Sequence, residues 1–264
     1  MSGALLSVRN LTVRHLGSGR ELVRGLSFTV EPGGATILLG QSGSGKTMTC
    51  RAILGLLNRR SFSVSGDIRL GGLNLLNLSE RDRKAIYGKR IALVPQNPMT
   101  ALDPSVRILT QMARILKRPG ETRALLRGRC ESALYTAGLD DIGRVLRSRP
   151  YELSGGMLQR VIIAIALETG SELIIADEPT TAIDAVHRDL TIDELNRLRD
   201  VHRAVLMVTH DFQSARRMGG DVVVMLDGKA VERGELNSVI ASPRAAYTLE
   251  LLAASDLTRR DDRA

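Results

Sequence analysis

Tryptophan is absent from this 264-residue chain, and with three phenylalanines and four tyrosines the aromatics make up only 3% of it. So few planar side chains leave little from which to build a stacking platform for single-stranded nucleic acid. Cysteine is nearly absent as well. Cys50 and Cys130 form no CxxC pair and are too few for a disulfide framework, which fits a reducing compartment and argues against thiolate-bound metal. Long apolar runs are missing: the longest, Val161 to Leu167, falls far short of the ~20 residues a membrane-spanning helix needs. The opening "MSGALLSVRN" has neither the basic start nor the apolar middle of a signal peptide. A soluble, cytoplasmic chain is expected. The four histidines, His15, His187, His202 and His210, show no ligand spacing on one face. No internal repeat, low-complexity tract or sustained heptad pattern occurs.

What is present is an ordinary globular composition, 43% hydrophobic and 25% charged, long enough for one large domain or a core domain with a subdomain. The net charge of +8 suits an anionic partner, whether nucleotide, nucleic acid or the inner leaflet of a membrane, and suits a merely soluble basic surface equally well.

Residues 5–39 read as strands, "LLSVRNLTVRH" and "LSFTVEPGGATILLG", and predict an antiparallel, β-rich entry. A helical pattern follows from Thr47 to Leu57, then short strands in "VSGDIRLGGLNLL" and a strand in "RIALVPQ". Between Pro104 and Glu152 the apolar spacing turns helical, in "SVRILTQMARILK" and "TRALLRGRCESALYTAGL", and an inserted helical subdomain is expected over residues 97–152. Next come a helix from Gly156, a buried strand "ELIIAD", a helix around Leu190 to Leu198, a strand "AVLMVT", a further helix and a hairpin "DVVVMLDGKAVERG". Strands alternating with helices imply a mostly parallel sheet covered on both faces. Residues 243–264 form a C-terminal tail whose charge-rich end, "DLTRRDDRA", is expected to fray.

The strongest motif is "GQSGSGKT", comprising Gly40, Gln41, Ser42, Gly43, Ser44, Gly45, Lys46 and Thr47. It matches G-x-x-x-x-G-K-[ST] between an apolar strand and a helix, the context of a phosphate-binding loop. Glycines let backbone N–H groups curve round phosphates, the helix start adds partial positive charge, Lys46 reaches the terminal phosphates, and Thr47 can ligate Mg²⁺. In "LIIADEP" four apolar residues lead to Asp177 and Glu178 at the end of a buried strand. Buried carboxylates are costly without a cation; Asp177 is placed to hold Mg²⁺ through water, and Glu178 to orient or deprotonate an attacking water. An alternative use of the pair, as helix N-cap and acidic first turn, loses its appeal beside the phosphate loop. His210, after "AVLMVT", and Gln96, at the end of "IALVPQ", gain a claim only because strand ends in such sheets face the ligand. Ser154, Gly155 and Gly156 open a helix with a hydroxyl, two small residues and free N–H groups aimed at one point, a second anion cradle.

Together these residues resemble the ATP-binding cassette (ABC) ATPases, and the likeness covers nearly the whole chain in the family's order. Gly40–Thr47, Gln96, "LSGGMLQR", "IIADEP", "TTAID" and "VTH" are similar to the P-loop, Q-loop, signature, Walker B, D-loop and H-loop. The resemblance implies one α/β ABC ATPase domain over 1–264, a P-loop NTPase with an antiparallel β subdomain and the helical insertion. It implies ATP and Mg²⁺, the metal held by Thr47, Gln96 and Asp177, with Glu178, His210 and Gln96 in catalysis. It further implies a head-to-tail dimer in which ATP lies between one subunit's P-loop and the other's Ser154, Gly155, Gly156 and Gln159, with Asp184 at the interface. Where the family stacks an aromatic on adenine, this chain offers His15. "RIALVPQNPMTALDPS" and the "SPRAAYTLELLAA" tail resemble the importer branch for peptides and nickel, and "SGSGKTMTC" with "LSGGMLQR" leans toward its nickel and opine-metallophore members. That resemblance implies two membrane-spanning permease subunits, a second homologous ATPase, an extracytoplasmic binding protein acting indirectly, and a peripheral place on the cytoplasmic face of the inner membrane. No nucleic-acid partner is expected. The competing reading, an ABC ATPase acting on nucleic acid or ribosomes, would use the +8 charge, but the chain carries neither a long coiled-coil insertion nor a second cassette.

Overall fold

The computed structural model describes residues 3–181 and 185–261, including their side chains except those of 185–187 and 256–261. Strand β1 (Leu6–His15) pairs antiparallel with β2 (Glu21–Val30) and with β4 (Phe62–Leu70), which pairs with the short β5 (Leu73–Asn74). The buried residues of β1 are Leu6, Val8, Leu11 and Val13, so the alternation slips once, between Val8 and Leu11. The register shifts there, and Asn10 takes a left-handed φ of 49°, as a β-bulge requires if Leu11 is to stay on the buried face.

The second sheet contains β3 (Ala35–Leu39), β6 (Ile91–Val94), β7 (Leu173–Asp177), β8 (Ala204–Thr209), β9 (Asp221–Leu226) and β10 (Lys229–Glu235), in the order β10-β9-β3-β8-β7-β6. All its neighbours are parallel except the β9–β10 hairpin. This corrects the expected antiparallel entry over 5–39: β3 leaves the first sheet and becomes a central parallel strand. Its physical cause is double-sided burial, since all five residues of "ATILL" are buried.

The helices are α1 (Lys46–Ile53), α2 (Glu80–Ile86), α3 (Ile108–Leu116), α4 (Arg123–Thr136), α5 (Ile142–Arg147), α6 (Gly155–Glu168), α7 (Ala185–Asp200), α8 (Phe212–Met218), α9 (Leu236–Ala241) and α10 (Ala246–Asp261). Between residues 97 and 152 lie only α3, α4, α5 and two short 3-10 turns. Besides α10 in the tail, two helices have no counterpart in the sequence pattern. They are α2 and α9, too short for an apolar stripe to register, and both begin instead at a side-chain cap, Ser79 and Glu235. The tail, for which no element was expected, carries the helix α10.

Period-two alternation divides the parallel sheet between two cores. Ile37, Ile174, Ala176, Val205 and Met207 face the helices α3 to α9. Leu38, Leu173, Ile175, Leu206 and Val208 face α1 and the antiparallel sheet. The parallel sheet is thus sandwiched, and its strand ends form a rigid rim.

Candidate functional site

Because β3, β8, β7 and β6 run parallel side by side, the loops leaving their carboxyl ends fall on one rim. The registers Leu39↔Thr209, Asp177↔Val208 and Val94↔Ala176 place Gly40, His210, Glu178 and Gln96 along it. Four segments far apart in sequence thereby meet.

The phosphate-binding loop is clamped by its neighbours. A Cβ on Gly40 would lie 2.3 Å from the Met225 carbonyl oxygen in β9, and one on Gly45 would lie 2.6 Å from that of Leu22 in β2. Gly45 also takes a φ of 100° as the N-cap of α1, so glycine is needed there twice over. Gln41, Ser42 and Gly43 are exposed at the loop's crest, while Ser44 is buried and its Oγ lacks a hydrogen-bond partner. Lys46 Nζ donates to the carbonyls of Gly40 (2.5 Å) and Gln41 (3.0 Å), and its nearest carboxylate oxygen, Glu178 Oε1, stands 4.0 Å away. Burial lowers the pKa of this ammonium, against the opposing pull of Glu178 and Asp177. A buried cation with no close counter-ion, beside the free N–H groups of a helix start, fits a phosphate group.

Thr47 Oγ1 donates to Asp177 Oδ1 at 3.3 Å, joining loop to strand end. Hydroxyl and carboxylate oxygens converging in this way fit a hard cation such as Mg²⁺. Burial pushes the Asp177 carboxyl up, and the like charge of Glu178 adds to the rise, against the Thr47 hydrogen bond. The ionised group is therefore disfavoured in the nucleotide-free protein, and Asp177→Asn should raise its thermal midpoint. Calorimetry without nucleotide or metal checks this, and an unchanged or lower midpoint would contradict it.

Glu178 follows β7 with a φ of 49°, a left-handed conformation costing about 1–2 kcal/mol in a residue with a Cβ. Its N–H donates to the Val208 carbonyl (2.8 Å), which holds that conformation against β8. The side chain is buried: Oε2 lies 2.8 Å from His210 Nδ1 and accepts from Thr181 Oγ1 at 3.4 Å, while Oε1 makes no hydrogen bond among the described residues and stands 4.0 Å from Lys46 Nζ. His210 remains half exposed and lines a cleft of 680 Å³ with Gln41, Ser42, Thr180 and Thr181. Gln96 is exposed beyond β6 and makes no hydrogen bond to Thr47 or Asp177.

Ser154 caps α6, its Oγ accepting from the Met157 N–H at 3.2 Å. Ser154 is exposed, and a Cβ on Gly155 or Gly156 would meet nothing within 4 Å, so nothing inside the chain requires glycine there. These residues are not in the wall of the 680 Å³ cleft. Gln159 requires a correction. It is 1% exposed, and its Nε2 donates to the Pro179 carbonyl at 3.2 Å, so its side chain ties α6 to the end of β7 and is closed to a nucleotide on another subunit. Asp184 lies outside the described residues. His15 closes β1, with Nδ1 beside Ser18 Oγ (2.9 Å) and its ring tilted against Phe62, centroids 5.3 Å apart. Phe62 carries no motif in the sequence and reaches His15 only through the β1–β4 register.

A phosphate loop, an acidic strand end and a histidine on one rim of a parallel sheet define a P-loop nucleotide hydrolase. Residues 23–181 match the family model described as ABC transporter. Over 94% of this chain and 92% of that protein, it is 38% identical to the metal-staphylopine import system ATP-binding protein CntD of Staphylococcus aureus. It is 33% identical to the oligopeptide transport ATP-binding protein OppD of Bacillus subtilis, over 94% of this chain and 71% of that one. Among solved structures, a dimeric post-hydrolysis state of the ATP-binding cassette MJ0796 bound to ADP and Pi superposes with a TM-score of 0.78 at 26% identity, covering 88% of this chain and 98% of that one. The chain belongs to the ABC transporter family, among the ATP-binding subunits of importers, and it is an ATPase. Among the described residues no helix is long and apolar enough to cross a membrane.

Proposed function

We propose that this subunit binds ATP on Gly40–Thr47 and hydrolyses it with Glu178 as the general base, powering uptake of a metal chelated by an opine-type ligand. The observation that carries the chemistry is the Glu178–His210 contact of 2.8 Å opposite the buried Lys46. Lys46 and the N–H groups opening α1 hold the phosphates. Glu178 accepts the proton of the attacking water, while His210 keeps the carboxylate turned toward the cleft. Mg²⁺, when bound, would be held by Thr47 and Asp177, with Gln96 reaching it from β6, and would neutralise phosphate charge. His15, backed by Phe62, is the surface offered to adenine.

The two anion cradles of one chain support an assembly in which Ser154–Gly156 closes on nucleotide held by a second cassette. That cassette is either a homologous ATPase or another copy of this chain, and Asp184 is assigned to the contact. Two membrane-spanning permeases complete the complex on the cytoplasmic face of the membrane, and an extracytoplasmic binding protein delivers the cargo. The importer relatives give no support to the nucleic-acid or ribosome reading.

The likeness to CntD and the wording of Ser42–Cys50, Leu153–Arg160 and the tail favour a metal chelate. The likeness to OppD keeps peptide uptake as the second reading. Deleting this subunit is expected to abolish accumulation of chelated nickel, cobalt or zinc under metal limitation, and Glu178→Gln should not restore it. A deletion strain with normal metal uptake that fails to grow on di- or oligopeptides would replace the metal reading with the peptide one.

A further inference from the structure

The tail beyond β10 is not a free appendage, because one set of hydrogen bonds fastens it to β10 and another bond reaches the phosphate loop. The carboxylate of Glu232, a buried residue of β10, accepts the backbone N–H groups of Arg244 (2.8 Å) and Ala245 (3.1 Å), which sets where α10 begins. One residue into α10, Tyr247 is 9% exposed and packed in the core beneath the parallel sheet. Its hydroxyl oxygen accepts the backbone N–H of Gln41 at 2.9 Å, across 206 positions of sequence. From there α10 runs along the cleft, with Leu251 and Ala254 in the same wall as Gln41, Thr181 and His210.

The peptide that Tyr247 grips is the one that also holds Lys46. The Gln41 N–H and the Gly40 C=O belong to a single planar, trans unit, so they point in opposite directions and turn together. On one side the N–H meets Tyr247 Oη, and on the other the C=O accepts Lys46 Nζ at 2.5 Å. A rotation of that peptide would break both bonds. We propose that Tyr247 is a positioning residue of the nucleotide site, fixing the first peptide of the phosphate loop and, through it, the Lys46 ammonium that binds phosphate. The proposal rests on Gly40–Thr47 being the phosphate loop. It gives the C-terminal segment a direct bearing on ATP affinity, so that anything displacing the start of α10 changes how tightly ATP is held.

Tyr247→Phe in the full chain removes only the hydroxyl and keeps the ring in its core position. The Kd and KM for ATP are expected to rise about 3- to 10-fold, the effect of one hydrogen bond, with kcat at saturating ATP within about 2-fold of wild type. Hydrogen exchange at the Gln41 amide should be slow in the unmodified chain and faster in the variant. A merely structural role would lower the melting temperature and leave Kd and KM where they were. Unchanged Kd and KM in Tyr247→Phe overturn the proposal whatever its melting temperature, and so does a freely exchanging Gln41 amide in the unmodified chain, a measurement that needs no variant to fold. Lys46→Ala is the control: if it binds ATP normally, the phosphate-loop reading itself fails, whereas lost binding in Lys46→Ala with normal binding in Tyr247→Phe rejects only the role of the tail.

Discussion

Glu178→Gln is expected to bind ATP about as tightly as the wild type while turning it over at least ~10²-fold more slowly, and as much as ~10⁴-fold, the range for loss of a general base. At 1.36 kcal/mol per decade this is about 3–5 kcal/mol of barrier. The substitution is nearly isosteric, and the geometry argues that it leaves the site standing. The φ of 49° is held by the Glu178 N–H on Val208, which the variant keeps. A glutamine can meet His210 Nδ1 with its amide oxygen or its amide hydrogens, so the 2.8 Å contact survives in either tautomer of the ring. What the amide cannot do is take a proton from water. Equilibrium binding of ATP and steady-state hydrolysis on the same preparation separate the two effects. Near-normal hydrolysis, or a loss of affinity matching the loss of rate, would remove Glu178 from the role of base.

Ser154→Arg should abolish hydrolysis in the reconstituted transporter, by at least the ~10²-fold that loss of a preorganised anion donor costs, while ATP still reaches the phosphate loop. Ser154 is exposed and the space over Gly155 and Gly156 is open, so a long cationic side chain meets no obstacle within the subunit and obstructs only what closes on it from outside. The fold loses one N-cap bond, that of Met157 N–H on Ser154 Oγ, worth about 1 kcal/mol. Ser154→Ala loses the same cap without adding bulk, and is expected to match the arginine variant in stability while keeping far more activity. Wild-type hydrolysis by Ser154→Arg would mean that Gly155 and Gly156 are only a turn.

The sequence by itself determined the local parts of this protein. Gly40–Thr47, Asp177–Glu178 and Ser154–Gly156 are legible because each packs its chemistry into a few consecutive residues whose spacing follows from loop and helix-end geometry. The helices with apolar stripes, α3 and α4, and the buried strands β7 and β8 are legible because burial imposes a period or an unbroken apolar run on them. Tertiary structure alone decided the rest. An apolar run such as "ATILL" is compatible with either sheet, and only its pairing with β8 and β9 makes it a central parallel strand. Gln159 sits in a motif that faces outward at Ser154, yet the helical turn carries it inward to Pro179, a direction that motif order cannot convey. Phe62 behind His15 and Tyr247 beneath Gln41 are single residues without local pattern. Their partners lie dozens to hundreds of positions away, and such contacts exist only once the two sheets and α10 have packed around the phosphate loop.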